Sequence, residues 1–219
     1  MENKNQNLRN RVVAVLTEIC ANVDNYSTEA ILQEVLAAKL PGSLRELTAN
    51  FSDHPIAPMT PSPDEVRVCV EKGRQITIQG KDPCDGRQRK VDILWEYVPI
   101  ELKSVTTLKS DVYGYQFLKD IHRMERLVSL EGVDEISDYR LCIFVASDPA
   151  IWKRIEGYKA PQVYNGMIVE PGYWVQYQQN SPVTRWYDYP PFYIAGSYRI
   201  EWEPLPLGAK YLLVEVGRY

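Results

Sequence analysis

The sequence predicts a mixed α/β domain in which a central mixed β-sheet is flanked by helices in the order αβββαβ, followed by a β-rich, aromatic C-terminal extension. Three observations lead there. Apolar residues recur at helical spacing near the N-terminus and again after residue 107. Short runs around these helices are apolar at every second position or throughout, the patterns of half-buried and doubly covered strands. Beyond Pro161, Tyr, Trp, Pro and Gly crowd together and no helical period is visible. A chain of 219 residues that is 45% hydrophobic can bury one good core. The expectation is a single domain over 1–219, with the αβββαβ core in 1–157 and a β-rich elaboration in 158–219 packed on it.

The elements follow in order. Val12, Val13, Val15, Leu16 and Ile19 mark a first short helix over 8–20, and residues 22–25 break it. Ser27 is suited to cap a second helix through Leu40, which Pro41 and Gly42 end. On that helix Ile31, Leu32, Val35, Leu36 and Leu40 form the buried stripe. Residues 51–63 are rich in proline and read as an irregular connection. The valines of 65–71 alternate with charged or small residues, and 76–78 follow after Lys72 and Gly73 as the second arm of a hairpin. A polar loop over 80–90 leads into a strand at 91–97, a tight connection and another strand at 100–104. Thr107 or Ser110 caps a long helix with Val112, Leu118, Ile121, Met124 and Val128 inward, stopping near Gly132. Residues 140–146 are almost continuously apolar, as in a strand covered on both faces. Asp148 then caps a short helix through about Gly157, with Pro149 at its first position.

Composition removes several classes of function. A formal charge of -4 argues against coating nucleic acid non-specifically, which needs a broad cationic surface, but leaves room for a local basic groove. No signal-like segment and no apolar run of membrane-spanning length is present, so a cytoplasmic protein without a membrane partner is expected. Cys20, Cys69, Cys84 and Cys142 form no CxxC pair, which removes zinc-ribbon and thioredoxin-like sites and favours reduced thiols. With only His54 and His122, chemistry falls to carboxylates and lysine, and His122 reads as a surface or helix-packing residue.

The informative stretch is 91–104. Residues two apart in a strand share a face, so Glu101 and Lys103 project together while Ile100 and Leu102 point the other way. With Tyr97 and Val98 as a two-residue turn, Asp92 lies opposite Lys103 and Leu94 opposite Glu101, placing all three polar groups on one face. Asp92 and Glu101 can then share a hard divalent cation, Mg²⁺ or Mn²⁺, with a backbone carbonyl, taken as that of Leu102, and waters completing its shell. Such a site polarises a phosphodiester and acidifies a bound water, and Lys103 would orient that water or stabilise developing charge. The simpler reading is a cross-strand salt bridge on a solvated sheet face, worth about 0.2–1 kcal/mol.

Asp92 followed by Glu101, Leu102 and Lys103 resembles the signature of the PD-(D/E)xK nuclease superfamily, with Val91 at the family's proline. The resemblance covers somewhat over half the chain. It implies a restriction-endonuclease-like core from about Ser27 to Ala146, phosphodiester hydrolysis in DNA, and catalytic roles for Asp92, Glu101 and Lys103. Many members carry a further glutamate on the first core helix. Glu29 lies near the edge of the buried stripe and fits that role, whereas Glu34 and Glu18 fall on polar sides. The resemblance also implies that Lys81, Arg87, Arg89 and Lys90 meet the phosphate backbone. Tyr113, Gln116 and Arg123 lie off the apolar stripe of the long helix, where Gln116 and Tyr113 would serve substrate binding. Many such nucleases dimerise to cut two strands, so a homodimer is expected.

The competing function is a non-catalytic interaction or nucleic-acid-binding module on an inactive nuclease-like fold. Its partner would be held by the aromatic region around Tyr173, Trp174, Arg185, Trp186, Tyr187 and Tyr189. Aromatics in short strands more often pack the core, and that is the reading adopted for them.

Overall fold

A computed structural model describes residues 2–51, 89–107, 112–177 and 191–219. The expected strands at 65–71 and 76–78, Lys81, Arg87, Cys69, Cys84, the cap at Ser110 and the aromatics at 185–189 lie outside the described residues. The fold is mixed α/β, with a large mixed central sheet flanked by helices.

Helices α1 (Glu2–Ile19) and α2 (Glu29–Lys39) are joined by a 3-10 turn at Val23–Tyr26. Strand β1 (Leu44–Phe51) is followed by β2 (Lys90–Trp95), β3 (Val98–Val105), helix α3 (Tyr113–Arg126), β4 (Leu127–Leu130), β5 (Arg140–Ala146) and a single helical turn α4 (Pro149–Trp152). The remainder is strands: β6 (Ile168–Val169), β7 (Tyr173–Val175), β8 (Phe192–Ile194), β9 (Tyr198–Arg199), β10 (Trp202–Pro204) and β11 (Lys210–Val216). Seven of them form one sheet in the order β10-β11-β5-β3-β2-β1-β4, and β3–β5 is its parallel pair.

One sheet face carries Ile93, Trp95, Val98, Ile100, Leu102, Leu141, Ile143 and Val145 against the apolar sides of α1 and α2. The other carries Leu94, Val105, Cys142, Phe144 and Ala146 against α3 and the C-terminal strands. Residues 140–146 are buried throughout, as their unbroken apolar run requires. The C-terminal aromatics pack this second core: Phe144 sits 5.1 Å from Phe117 and 5.2 Å from Trp202, ring centre to ring centre. Buried His122 meets the Tyr193 carbonyl at 2.6 Å. Buried Glu125 accepts from the Ala195 and Gly196 N–H groups and the Tyr198 hydroxyl, tying α3 to the C-terminal strands.

Three local expectations need correction, and one strand lies where none is expected. Thr28, not Ser27, caps α2, because its hydroxyl accepts the Ile31 N–H at 3.3 Å while Ser27 closes the preceding 3-10 turn. Ile31 is 37% exposed, so the buried stripe narrows to Leu32, Leu36 and Leu40. Strand β1 falls in a stretch that shows no alternation, since Ala49 is its one buried side chain and the strand is held by pairing to β2 and β4 on its two edges. Helix α3 stops at Arg126 rather than near Gly132, and Val128 is exposed. Pairing with β1 pulls residues 127–130 into a strand, and the buried guanidinium of Arg140 caps the helix by donating to the Met124 and Leu127 carbonyls. At the other end, β11 lies inside the main sheet beside β5, so the C-terminal part completes the sheet as well as packing on it.

Gly114 on α3 touches the loop that follows α4: a Cβ there would lie 2.1 Å from the Pro161 carbonyl oxygen. In an open helix Gly→Ala stabilises by about 1 kcal/mol. Here the sign reverses, and Gly114→Ala is expected to destabilise by about 1–3 kcal/mol, read as a lower midpoint in urea denaturation.

Candidate metal centre

The hairpin β2–β3 is closed by Glu96 and Tyr97, with φ of 50° and 68°, and pairs Ile93 with Ile100, Leu94 with Pro99 and Trp95 with Val98. The expected turn at Tyr97 and Val98 is thereby corrected. It would have put a β-branched valine at positive φ, a conformation such residues avoid. Val98 instead starts β3 as a buried residue, and Tyr97 stands 63% exposed at the tip. Because the register moves by two residues, the facing of every side chain is kept. Continued by one pair, it sets Asp92 opposite Glu101 rather than Lys103.

The two carboxyl groups are hydrogen-bonded to each other, and Asp92 Oδ2 also accepts the Leu102 N–H at 2.7 Å. From α2, Gln33 donates to the Asp92 carbonyl at 2.7 Å, and the Ser104 hydroxyl donates to the Tyr26 carbonyl. These bonds dock the start of α2 over the end of the hairpin. Glu29, in the first turn of α2, thereby reaches Lys103, with Nζ 2.7 Å from Oε2. On its other side Lys103 Nζ lies 3.6 Å from Oδ2 of Asp120, a buried residue of α3 that is also ion-paired to Arg123. Among the described residues, this brings Asp92, Glu101, Lys103 and Glu29 together.

The remaining sequence-derived residues sit further out. Lys90 is exposed and pairs with Glu46 at 3.0 Å, while the Arg89 carbonyl accepts from the Ala49 N–H at 3.0 Å as β1 meets β2. Tyr113 and Gln116 are half-buried on α3, seven and four residues before Asp120 and hence on its side of the helix. Glu34 and Glu18 are exposed, and Glu18 pairs with Lys39. Asp120 and Gln33 escaped the sequence reading. For Asp120 a signal existed: it is an acid one helical turn after Gln116 and three residues before Arg123, on the side of α3 expected to face the site.

Electrostatics single out the carboxyl pair. Burial is the main cause that lifts Asp92 to about 6, with the Leu102 N–H and the bond to Glu101 opposing it and the charges of Glu29 and Asp120 adding to it. Glu101 is pushed well above the carboxylate range by burial and by Asp92, with Arg123 acting against the rise. For Lys103, burial works to lower the pKa, but Asp120, Glu29 and Glu101 outweigh it and hold the ammonium charged. Four carboxylates and two cations make up this cluster, a net charge of -2 when all are ionised.

Among the described residues no group of three or more His, Cys, Asp or Glu side chains is arranged to hold a metal. The donor set on offer is a carboxylate pair, which suits a hard cation that keeps most of its waters and does not suit a softer metal that needs several nitrogen or sulfur ligands. No described helix is long and apolar enough to cross a membrane. Comparison of the chain with known protein families, with curated proteins and with solved structures returns no match.

Proposed function

We propose that the protein is a Mg²⁺- or Mn²⁺-dependent nuclease of the PD-(D/E)xK type that hydrolyses phosphodiester bonds in DNA, on a restriction-endonuclease-like core. The observation that carries this reading is the pair Asp92 and Glu101, side by side with Glu101 buried and Asp92 half-buried, in a cluster whose net charge, -2 when all its groups are ionised, one divalent cation would neutralise. An element order of α2, β1, β2, β3, α3 and, after the short edge strand β4, β5 supports it.

Asp92 and Glu101 would hold the cation. In an extended strand the N–H and C=O of one residue point to the same edge, so the Leu102 carbonyl faces the Asp92 side with its N–H and is suited to be a further ligand. When bound, the metal supplies Lewis-acid polarisation of the phosphate and a more acidic water. Lys103 is kept as an ammonium by three neighbouring carboxylates, so its role is to donate to the attacking water or to a phosphate oxygen, not to take a proton. Arg89 and Lys90, at the entry of β2, would meet the DNA backbone, and Gln116 and Tyr113 would approach it from α3. Cutting both strands would call for a second copy of the chain, the reason to expect a homodimer.

The direct test is incubation of the purified protein with plasmid, linear and single-stranded DNA in Mg²⁺ or Mn²⁺. Cleavage that chelation abolishes is expected; no cleavage of any of these substrates would sink the proposal and favour the binding module. A second expectation concerns pH. Folded Asp92 titrates near 6, above the 3.8 of an unperturbed aspartate, so between these values the native state binds more protons than the unfolded chain. Metal-free stability should therefore fall as pH rises through that window. Mn²⁺ displaces those protons, so the Tm increment it produces should be small at pH 5 and grow through pH 6 to pH 8. A thermal-shift series with and without Mn²⁺ checks this, and an increment that is flat across the series contradicts it.

A further inference from the structure

We propose that Asp120 is a positioning residue that aims the ammonium of Lys103, and that Arg123 pins Asp120 for this task. The proposal deepens the nuclease reading and rests on it for what Lys103 does.

An ammonium has three N–H donors in a tetrahedral arrangement and turns freely about the Cε–Nζ bond. One acceptor leaves that rotation open, whereas a second anion on the other side biases the direction in which the remaining donors turn. Lys103 is held from opposite layers of the fold: it donates to Glu29 of α2 at 2.7 Å, and the carboxylate of Asp120 of α3 faces it as an ion pair at 3.6 Å. With one donor on Glu29 and its charge drawn toward Asp120, the ammonium is confined on the sheet face that it shares with Asp92 and Glu101, where a phosphate would be held.

The two carboxylates are unequal. The Glu29 side chain is 42% exposed in the first turn of an 11-residue helix, and that of Asp120 is 6% exposed in the middle of α3. Around Asp120, the buried Phe117, Leu118 and Ile121 lock the helix against the sheet. Arg123, one turn further on, takes Oδ1 of Asp120 and leaves Oδ2 to Lys103. An ion pair shielded from water is stiffer than one at the rim, where solvent competes for both partners. Asp120 is thus the fixed counter-charge for the lysine, while Glu29 accepts its hydrogen bond from the more hydrated rim.

The test uses the full chain. Asp120→Asn keeps the side-chain shape and removes the charge, and Asp120→Ser serves if the amide prevents folding, as judged by near-UV circular dichroism. The first readout is the ¹H–¹⁵N signal of the Lys103 ammonium, assigned by its disappearance in Lys103→Arg. It should be visible in the wild type, lost in the Asp120 variants and retained in Glu29→Gln. The second is cleavage of linear DNA in Mn²⁺, where loss of aim should lower kcat by about 10–100-fold and move KM by less than about threefold. The Mn²⁺-induced Tm increment should persist, because Asp92 and Glu101 are intact.

A signal that survives in Asp120→Asn, or one that is lost in Glu29→Gln, overturns the proposal. So does a kcat within about twofold of wild type, or a loss carried by KM. If the wild type itself cleaves no DNA, the nuclease reading fails, and the ammonium signal still decides whether Asp120 holds Lys103.

Discussion

Glu101→Gln is expected to abolish metal-dependent cleavage while making the metal-free protein more stable at pH 8. Both effects have one source. Glu101 is 7% exposed, shares a hydrogen bond with Asp92 and is pushed well above the carboxylate range. At pH 8 the unfolded chain carries this glutamate ionised at no cost, whereas the native state must either retain a proton or bury a second negative charge. Glutamine removes that penalty and can still donate to Asp92. For a chain of 219 residues each kcal/mol relieved should raise Tm by about 2–4 °C. On the proposed reading, the same change removes one of the two cation ligands. Several kcal/mol of transition-state stabilisation are lost with the metal, a fall of roughly 10³-fold or more in rate. Differential scanning fluorimetry at pH 8 with and without Mn²⁺, run beside the cleavage assay, reads both. A Glu101→Gln protein that melts lower than wild type, or still gains stability from Mn²⁺, would show that the pair is not a metal site.

Lys103→Ala should behave in the opposite way. The lysine is the cation that Glu29 and Asp120 share, so removing it leaves carboxylates facing one another across the end of the hairpin. Deleting one partner of a buried pair costs about 3–5 kcal/mol, and the lower end is apt here because Glu29 is partly hydrated. Melting without metal should therefore drop by several degrees. Cleavage should fall by at least about 10²-fold, since a preorganised donor at the reacting phosphate is gone. The Mn²⁺-induced rise in Tm, however, should be as large as in wild type or larger, because the cluster is one charge more negative. Loss of activity with metal binding retained separates the lysine from the ligands, and full activity in Lys103→Ala would refute the assigned mechanism.

Much of the site was legible in the chain because it depends on parity. In a strand, facing alternates with every residue, so Glu101 and Lys103 share a side whatever the rest of the fold does, and any even turn brings Asp92 to the same side. The turn itself was misplaced by one residue, and the avoidance of positive φ by Val98 would have corrected it from sequence. Glu29 was legible for a similar reason, since its place beside the stripe of α2 is set by the helical period. The strands at 91–95, 100–104 and 140–146 stood out because their side chains are buried on both faces, which demands apolar residues almost throughout. Strand β1 did not stand out, because its pairing uses backbone groups that every residue carries.

By itself, then, the sequence determined the mixed α/β class, the common face of Asp92, Glu101 and Lys103, and the capped start of the turn after Ala146 at Asp148. Tertiary structure alone decided that Asp92 faces Glu101, that α3 ends at Arg126, that β11 enters the sheet beside β5, and that Asp120 of α3 closes on Lys103. The division has a physical cause. Periodicity and capping are local, read over a few residues of backbone. Register, strand order, desolvation and charge pairing are set by residues distant in the chain, and these turn two carboxyl groups of ordinary sequence context into a close, desolvated pair.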